Sequence, residues 1–345
     1  MTVINNIEID IIEYKSNPIK EAILNNDPIE PKLHVIIVVS NPCLYARRYI
    51  LAREFIKRMD NDETNIILYV VEFAYGKQKF IITDKNNKRH LQIRTETPIW
   101  HKENMINCGV RALLPSTWKA FAWIDADIEF ESTTWALDTL KILNGSKDIV
   151  QLFSHALDMD KHKKPMAVFS SFSYQYCNEK KYGGKGLDYW HPGYAWACTR
   201  KAYEKMGGLY EYGILGSSDN IMALSLIGNG LKAIDVNSTD GYKQTVIEFQ
   251  NKVKHFRLGY VPGVIKHHFH GSKKNRKYIE RWQILVNHLY DPLEHLDIEK
   301  TITSNSNNTN KISNVLIPSS SCPKDLISDI YNYFAERNED EGYLE

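Results

Sequence analysis

Ala120-Phe121-Ala122-Trp123-Ile124-Asp125-Ala126-Asp127-Ile128-Glu129-Phe130 is the stretch that decides how this chain is read. An apolar run, Ala120 to Ile124, leads straight into two carboxylates one residue apart. Strands buried on both faces read as continuous apolar runs, so the segment is a central strand with acids at its end. Two acids placed there are costly unless a cation meets them. A hard divalent ion with oxygen ligands does so. Positions i and i+2 of a strand point to one side, which aims Asp125 and Asp127 at one ion. The same pair also fits a solvated acidic turn.

Outward from this strand, the pattern is α/β. Leu33 to Val39 is a strong strand ending at Ser40-Asn41-Pro42, Tyr45 to Met59 has helical spacing, and Asn65 to Phe73 is a second strand. A β-α-β start points to a parallel sheet covered by helices. Lys77 to Ile93 alternates as a hairpin turning at Asp84-Lys85-Asn86-Asn87. Pro98 to Leu114 and Thr133 to Leu143 read as helices, the second closed by Asn144-Gly145. Asp148 to Phe153, Pro192 to Cys198 and Val261 to His270 read as strands. Thr199 to Met206, Ser218 to Ile227 and Arg276 to Tyr290 read as helices, and Lys180 to Gly186 is a glycine- and lysine-rich candidate lid.

Residues 1–31 read as an N-terminal extension closed by the rigid Asp27-Pro28-Ile29-Glu30-Pro31. Residues 32–300 form the main domain, 301–321 a Ser-, Asn- and Thr-rich linker, and 322–345 a docking or capping helix with an acidic tail. The 345 residues suffice for one large domain or two small ones, and 43% hydrophobic with 25% charged residues is ordinary for a soluble protein. A net charge of +1 gives no electrostatic footprint for nucleic acid or an anionic membrane. No basic, apolar leader is visible, and no apolar run approaches the roughly 20 residues of a membrane span, so the expected location is cytoplasmic. The five cysteines are scattered without a CxxC, which argues against structural zinc and a disulfide framework.

Three further segments carry chemistry. In Trp100 to Gly109, Lys102 sits near a helix start, where the backbone already presents positive charge, and suits a diphosphate. Asn107, further along, suits a ribose or sugar hydroxyl; the alternative is an amphipathic helix with a solvated polar face. Ile265 to Tyr278 holds His267, His268 and His270, then Lys273 and Arg276, which are suited to clamping phosphates. Strand alternation would put His268 and His270 on one face and His267 on the other. Arg47, Arg48 and Glu72 lie near the carboxyl ends of the first two strands, the edge where open α/β sheets bind ligands. Of the two arginines Arg47 is read as reaching the nucleotide, and Glu72 as meeting its base or ribose.

Trp100 to Gly109, followed by the strand and Asp125-Ala126-Asp127, resembles the nucleotide-sugar half of GT-A glycosyltransferases. The likeness is to the β-1,4-galactosyltransferase type and to related phage and giant-virus glycosyltransferases. It implies a Rossmann-like mixed, mostly parallel sheet flanked by helices, with a nucleotide-sugar half at 32–150 and an acceptor half at 151–300. It also implies metal-dependent transfer of a sugar from a nucleoside-diphosphate sugar, UDP-sugar favoured, to a hydroxyl on a glycan, protein or other acceptor. By this resemblance Mn²⁺ or Mg²⁺ is held by Asp127, with Asp125 as a further ligand or a ribose or water contact, and by His270 ahead of His267.

Gly193-Tyr194-Ala195-Trp196 and the helix ending in Gly207-Gly208 are similar to the group's segment before the acceptor site. There a glycine lets a sugar approach the backbone, and Trp190, Tyr194 and Trp196 are implied to stack on the acceptor. Gly213 to Asn220 stands where the group has WGxED or a variant. Here Ser218 replaces the first acid and is placed with the acceptor. Asp219 is implied to be the general base, which implies inversion; by its position alone it also fits a helix cap. Two other classes remain. A metal-dependent nucleotidyltransferase would carry a Gly-rich basic loop where this chain has Ser40-Asn41-Pro42-Cys43. A catalytically silent sugar-binding protein of the same fold would explain the serine at 218.

Overall fold

The computed structural model describes residues 26–62, 65–181, 186–304 and 310–342, together with 3–4, 7–8, 23–24 and 183. Most of the expected N-terminal extension and part of the expected lid therefore lie outside the described residues. The first half runs β1 (Leu33–Ser40), α1 (Ala46–Asp62), β2 (Ile66–Tyr75), β3 (His90–Thr95), α2 (Lys102–Leu113) and β4 (Ala120–Ile124). It continues with β5 (Ile128–Phe130), α3 (Trp135–Leu143), β6 (Ile149–Gln151), β7 (His155–Met159), β8 (Pro165–Ser171) and α4 (Phe172–Cys177). Then come β9 (Trp190–His191), β10 (Ala195–Thr199), α5 (Arg200–Met206), α6 (Ser218–Leu226), α7 (Asp240–Val253), β11 (Leu258–Tyr260) and β12 (Val264–His267). The chain closes with α8 (Trp282–Asn287), α9 (Pro292–His295), β13 (Leu296–Ser304), β14 (Asn310–Pro318) and α10 (Lys324–Glu336).

The central sheet has seven strands in the order β11-β6-β10-β4-β1-β2-β3. All run parallel except β10, which is antiparallel to both of its neighbours. Alternation along β1 sends Val35, Ile37 and Val39 into a core with Phe55 of α1 and Leu140 of α3. It sends Ile36 into the opposite core, with Met105 of α2 and Ile221 of α6. Helices cover both faces, which is why the strand reads as an unbroken apolar run; each fully buried aliphatic side chain contributes roughly 1.5–3 kcal/mol. This is the mixed, mostly parallel, helix-flanked sheet expected from the sequence. A second sheet, β9-β8-β7-β12-β5, stands beside the carboxyl end of β4 and carries the histidine segment.

Four local expectations are corrected. Residues 77–93 do not form a hairpin: β3 runs parallel to β2. The turn at Asp84 to Asn87 exists, but the loop before it is pinned to the end of β2 by Glu72. Residues 310–318 of the expected linker are the strand β14, paired antiparallel with β13. Its apolar Val315 and Leu316 are buried among polar neighbours that hid the strand in the composition. The helix expected over Arg276–Tyr290 is cut to α8, and the strand expected over Val261–His270 to β12.

Candidate metal centre and ligand cavity

Strand β4 ends at Ile124, so Asp125-Ala126-Asp127 is a turn and not an extended i, i+2 pair. The two acids diverge. Asp125 forms an ion pair with Lys102 at the start of α2, while Asp127 turns to the histidines. Strand β12 likewise stops at His267, held between Ile128 of β5 and Asp158 of β7. The backbone N–H of His268 then donates to the Asp127 carbonyl at 2.8 Å, and its ring meets Glu129 at 3.2 Å, away from Asp127. That turn brings His270 back beside His267. The face-sharing expected of His268 and His270 fails because the strand ends before either.

Asp127 Oδ2 lies 2.9 Å from His270 Nε2 and 3.8 Å from His267 Nε2, and the two Nε2 atoms are 3.3 Å apart. One ligand atom from each of Asp127, His267 and His270 lies within 4.8 Å of the others. Behind them His267 Nδ1 lies 2.6 Å from Asp158 Oδ1, so the Nδ1 proton goes to the carboxylate and the Nε2 lone pair faces inward. Asp127 Oδ1 is buried without a hydrogen-bond partner. Burial opposes its charge, yet His270 and His267 outweigh that and hold the Asp127 carboxyl well below the usual carboxylate range. One oxygen and two imidazole nitrogens converging beside an orphaned carboxylate oxygen is a donor set that fits a divalent first-row cation.

The cluster opens on a cavity of about 640 Å³ at the carboxyl ends of β1 and β4. Arg48, Lys102, Lys273, Arg276, Arg281 and Arg337 line it. Lys273 pairs with Asp158 at 2.5 Å, and Arg276 Nη2 donates to His270 Nε2 at 2.7 Å. Trp190, Gly193, Tyr194 and Asp219 line the same cavity. Tyr194 has a positive φ of 78°, unusual for an aromatic residue. Its ring stacks between His191, at 4.0 Å, and His267, at 4.6 Å. Ser217, at φ 74°, delivers Asp219 into the cavity, and Arg281 donates to its hydroxyl. The Asp219 carboxylate accepts from the Asn220 N–H at 2.8 Å. A Cβ on Gly193 would stand 2.8 Å from Asp219 Oδ2, so only glycine leaves that carboxylate its place.

The structure therefore gathers Asp125, Asp127, Lys102, Lys273, Arg276, His267, His270, Asp219, Trp190, Gly193 and Tyr194 at one cavity. Five expected residues stand apart from it. Asn107 spends its amide on Leu209 O, Glu211, Tyr203 OH and Leu209 N, at 2.8–3.0 Å. Glu72 accepts from the N–H groups of Ile81, Ile82 and Thr83 and from the Thr83 hydroxyl. Arg47 is buried and donates to the Phe269 carbonyl, whereas its neighbour Arg48 faces the cavity. Trp196 sits in the core with its indole N–H on Pro192 O, and Ser218 is buried below the turn. Glu103, Arg281, Arg337 and Glu339 were not read from the sequence. Glu103 was detectable as an acid beside Lys102 in a first helical turn. Burial pushes its carboxyl up to about 7, offset only in part by Lys102, with Asp219 pushing further.

Neither a scan against protein-family models nor a search of curated proteins finds a match to this sequence. Among solved structures the chain is similar to the catalytic domain of Drosophila β1,4-galactosyltransferase 7 in complex with xylobiose. The identity is 9%, covering 87% of this chain and 99% of that one, at a TM-score of 0.39. It is also similar to the mannosyltransferase PcManGT from Pyrobaculum calidifontis in complex with GDP-Man and Mn²⁺, at 15% identity, 77% and 66% coverage and a TM-score of 0.39. A putative glucose-1-phosphate thymidylyltransferase from Bacillus anthracis in complex with sucrose is matched at 8% identity, 68% and 89% coverage and a TM-score of 0.35. At these scores no residue role is carried across.

Proposed function

We propose that this chain is a metal-dependent glycosyltransferase that moves a sugar from a nucleoside-diphosphate sugar, UDP-sugar favoured, to a hydroxyl acceptor with inversion. The observation that carries the reading is the convergence of Asp127, His267 and His270 at a cavity lined by several cations and by aromatic residues together with Asp219. Asp127, His267 and His270 would hold Mn²⁺ or Mg²⁺. When bound, such an ion supplies Lewis-acid neutralisation of the diphosphate.

The remaining steps belong to the protein. Arg48, Lys102, Lys273, Arg276 and Arg337 place positive charge around the diphosphate oxygens, where charge grows as the leaving group departs. Tyr194 and Trp190 offer aromatic surface to the acceptor sugar. Asp219 takes the proton of the acceptor hydroxyl as it attacks the anomeric carbon, and the nucleoside diphosphate leaves on the opposite face. A general base of this kind contributes about 10²–10⁴-fold in rate.

The test is a screen of UDP- and GDP-sugars for slow hydrolysis without acceptor, run with Mn²⁺ and with chelator, beside thermal unfolding on the same panel. The reading expects one sugar nucleotide to be hydrolysed and to raise the unfolding temperature only with metal, as ligand linkage requires. Synthesis of a sugar nucleotide from a sugar phosphate and a nucleoside triphosphate would instead make the chain a nucleotidyltransferase. Binding without turnover would make it a sugar-nucleotide-binding protein.

A further inference from the structure

The C-terminal tail reaches the metal cluster from nearly the far end of the sequence. Helix α10 buries Leu326, Ile330, Tyr333 and Phe334, and the chain then turns back over the histidine loop. Glu339 is 1% exposed. Its Oε1 accepts from Arg48 Nη2 at 2.7 Å and from Arg337 Nη2 at 2.8 Å. Its Oε2 accepts from Arg48 Nε and lies 3.5 Å from His270 Nδ1. The next residue, Asp340, caps α1, accepting from the N–H groups of Ala46 and Arg47 at 2.9 and 2.7 Å. Tyr45 donates to the Phe334 carbonyl at 2.9 Å and accepts from the Asn338 N–H at 3.1 Å. Beneath the tail lies Gly271, where a Cβ would stand 2.9 Å from the Asn338 carbonyl oxygen.

We propose that this tail is a fixed part of the metal site, with Glu339 as the positioning residue for His270 and for the cavity-facing Arg48 and Arg337. A carboxylate beside Nδ1 favours the ring proton on that nitrogen, which leaves the Nε2 lone pair on the side of Asp127, where Arg276 Nη2, 3.1 Å from Nδ1, also donates to it at 2.7 Å. Histidines that ligate metals are oriented in this way by a group bonded to their other nitrogen. His267 has Asp158 hydrogen-bonded in that position, and His270 has the Glu339 carboxylate beside it at ion-pair distance, 3.5 Å. The same carboxylate neutralises the guanidinium groups of buried Arg337 and half-buried Arg48, which would otherwise repel an incoming cation. Both functions come from a residue that sequence reading places in the acidic tail of a docking or capping helix. The inference rests on the metal-binding part of the proposed function and on none of its sugar chemistry.

The test is Mn²⁺ binding by the full chain, followed by electron paramagnetic resonance without nucleotide or sugar, with unfolding of the metal-free protein measured in parallel. Wild type should bind one Mn²⁺; failure to bind overturns the metal reading and this inference together. In Glu339→Gln the affinity should fall about 10- to 100-fold at a temperature where the variant is fully folded. An unchanged affinity with a lowered unfolding temperature would show a merely structural tail and overturn the inference, leaving the metal reading intact. If Glu339→Gln does not fold, Asp340→Asn decides, because it loosens the tail away from the metal ligands. Mn²⁺ affinity several-fold below wild type supports the inference, and wild-type affinity overturns it.

Discussion

Asp158 Oδ1 lies 2.6 Å from His267 Nδ1, and that contact decides which edge of the imidazole faces the cavity. Burial opposes a charge on His267, but Asp127 and Asp158 outweigh it and raise its pKa above the ordinary 6.5. In the metal-free protein the ring thus holds its second proton past pH 6.5, and a cation must displace it. Mn²⁺ affinity should therefore rise with pH through the raised His267 pKa and level off above it. Titrations from about pH 6 to about pH 9 check this, since one displaced proton costs about tenfold in affinity per pH unit below the pKa. A flat profile would place the ion away from His267.

The same contact has a consequence for stability as well. Burial favours the neutral Asp158 carboxyl, but His267 and Lys273 overcome it and lower the pKa from 3.8 to about 2. A depressed carboxylate stabilises the fold above its unfolded pKa, and that stabilisation is lost as pH falls through the folded value. Metal-free wild type should lose roughly 2 kcal/mol from this group between about pH 4 and pH 2. Asp158→Asn should lack this loss, so its stability deficit against wild type narrows as acid is added. Denaturant titrations across that interval measure the difference.

Asn107 spends its amide on protein partners, and its substitution separates fold from function. Asn107→Ala would orphan the Leu209 N–H, the Leu209 carbonyl, the Tyr203 hydroxyl and one bond to Glu211. The expected cost is about 2–4 kcal/mol of stability, with Mn²⁺ affinity unchanged in the folded fraction. A loss of donor binding without loss of stability would return Asn107 to the site.

Asn107 also shows what sequence reading reaches. The strand into Asp125-Ala126-Asp127, the histidine cluster and the Gly193-Tyr194 segment were legible because each joins an unusual residue pattern to a strand end. Asn107 and Glu72 stand apart from the cavity on protein partners, a placement the sequence hides because a polar side chain inside an element looks the same whether it meets a ligand or a backbone. Among the histidines, period-2 reasoning failed because it assumed a strand running to His270 when β12 stops at His267. Glu339 carries no local signal at all. Its partner Arg48 is 291 residues away and its partner His270 lies before α8, β13, β14 and α10 in the chain, so no local pattern links them.

Glu103 predicts a pH dependence that runs against that of Asp158. Its carboxyl is raised from 4.5 to about 7 by burial, with Asp219 adding to the shift. Between these values the native state holds a proton that the unfolded state has lost, so stability falls as pH rises and stays low above about 7. The effect reaches at most ~3 kcal/mol. Glu103→Gln should abolish it, becoming steadily more stable relative to wild type from about pH 4.5 to about pH 7. Thermal unfolding of both proteins across that interval reads the slope, and parallel curves would mean that Glu103 is ionised throughout.

Gly193 offers the sharpest test of Asp219. A methyl group at 193 would meet Asp219 Oδ2 at 2.8 Å and His191 Cε1 at 3.2 Å. Neither neighbour belongs to the cation cluster, and the Gly193 φ needs no left-handed conformation. Gly193→Ala should therefore fold and bind Mn²⁺ as wild type does, while moving the Asp219 carboxylate by a few tenths of an ångström or more. Displacements near 1 Å at a reacting group cost about 10²-fold in rate, so transfer to acceptor should fall between tenfold and that figure. Asp219→Asn should fall further, by about 10²–10⁴-fold, with donor binding retained. Combining the two should add little, because both act on the same carboxylate. If Gly193→Ala slows transfer as much in the Asp219→Asn background as alone, the methyl acts on the sugar and not on the base.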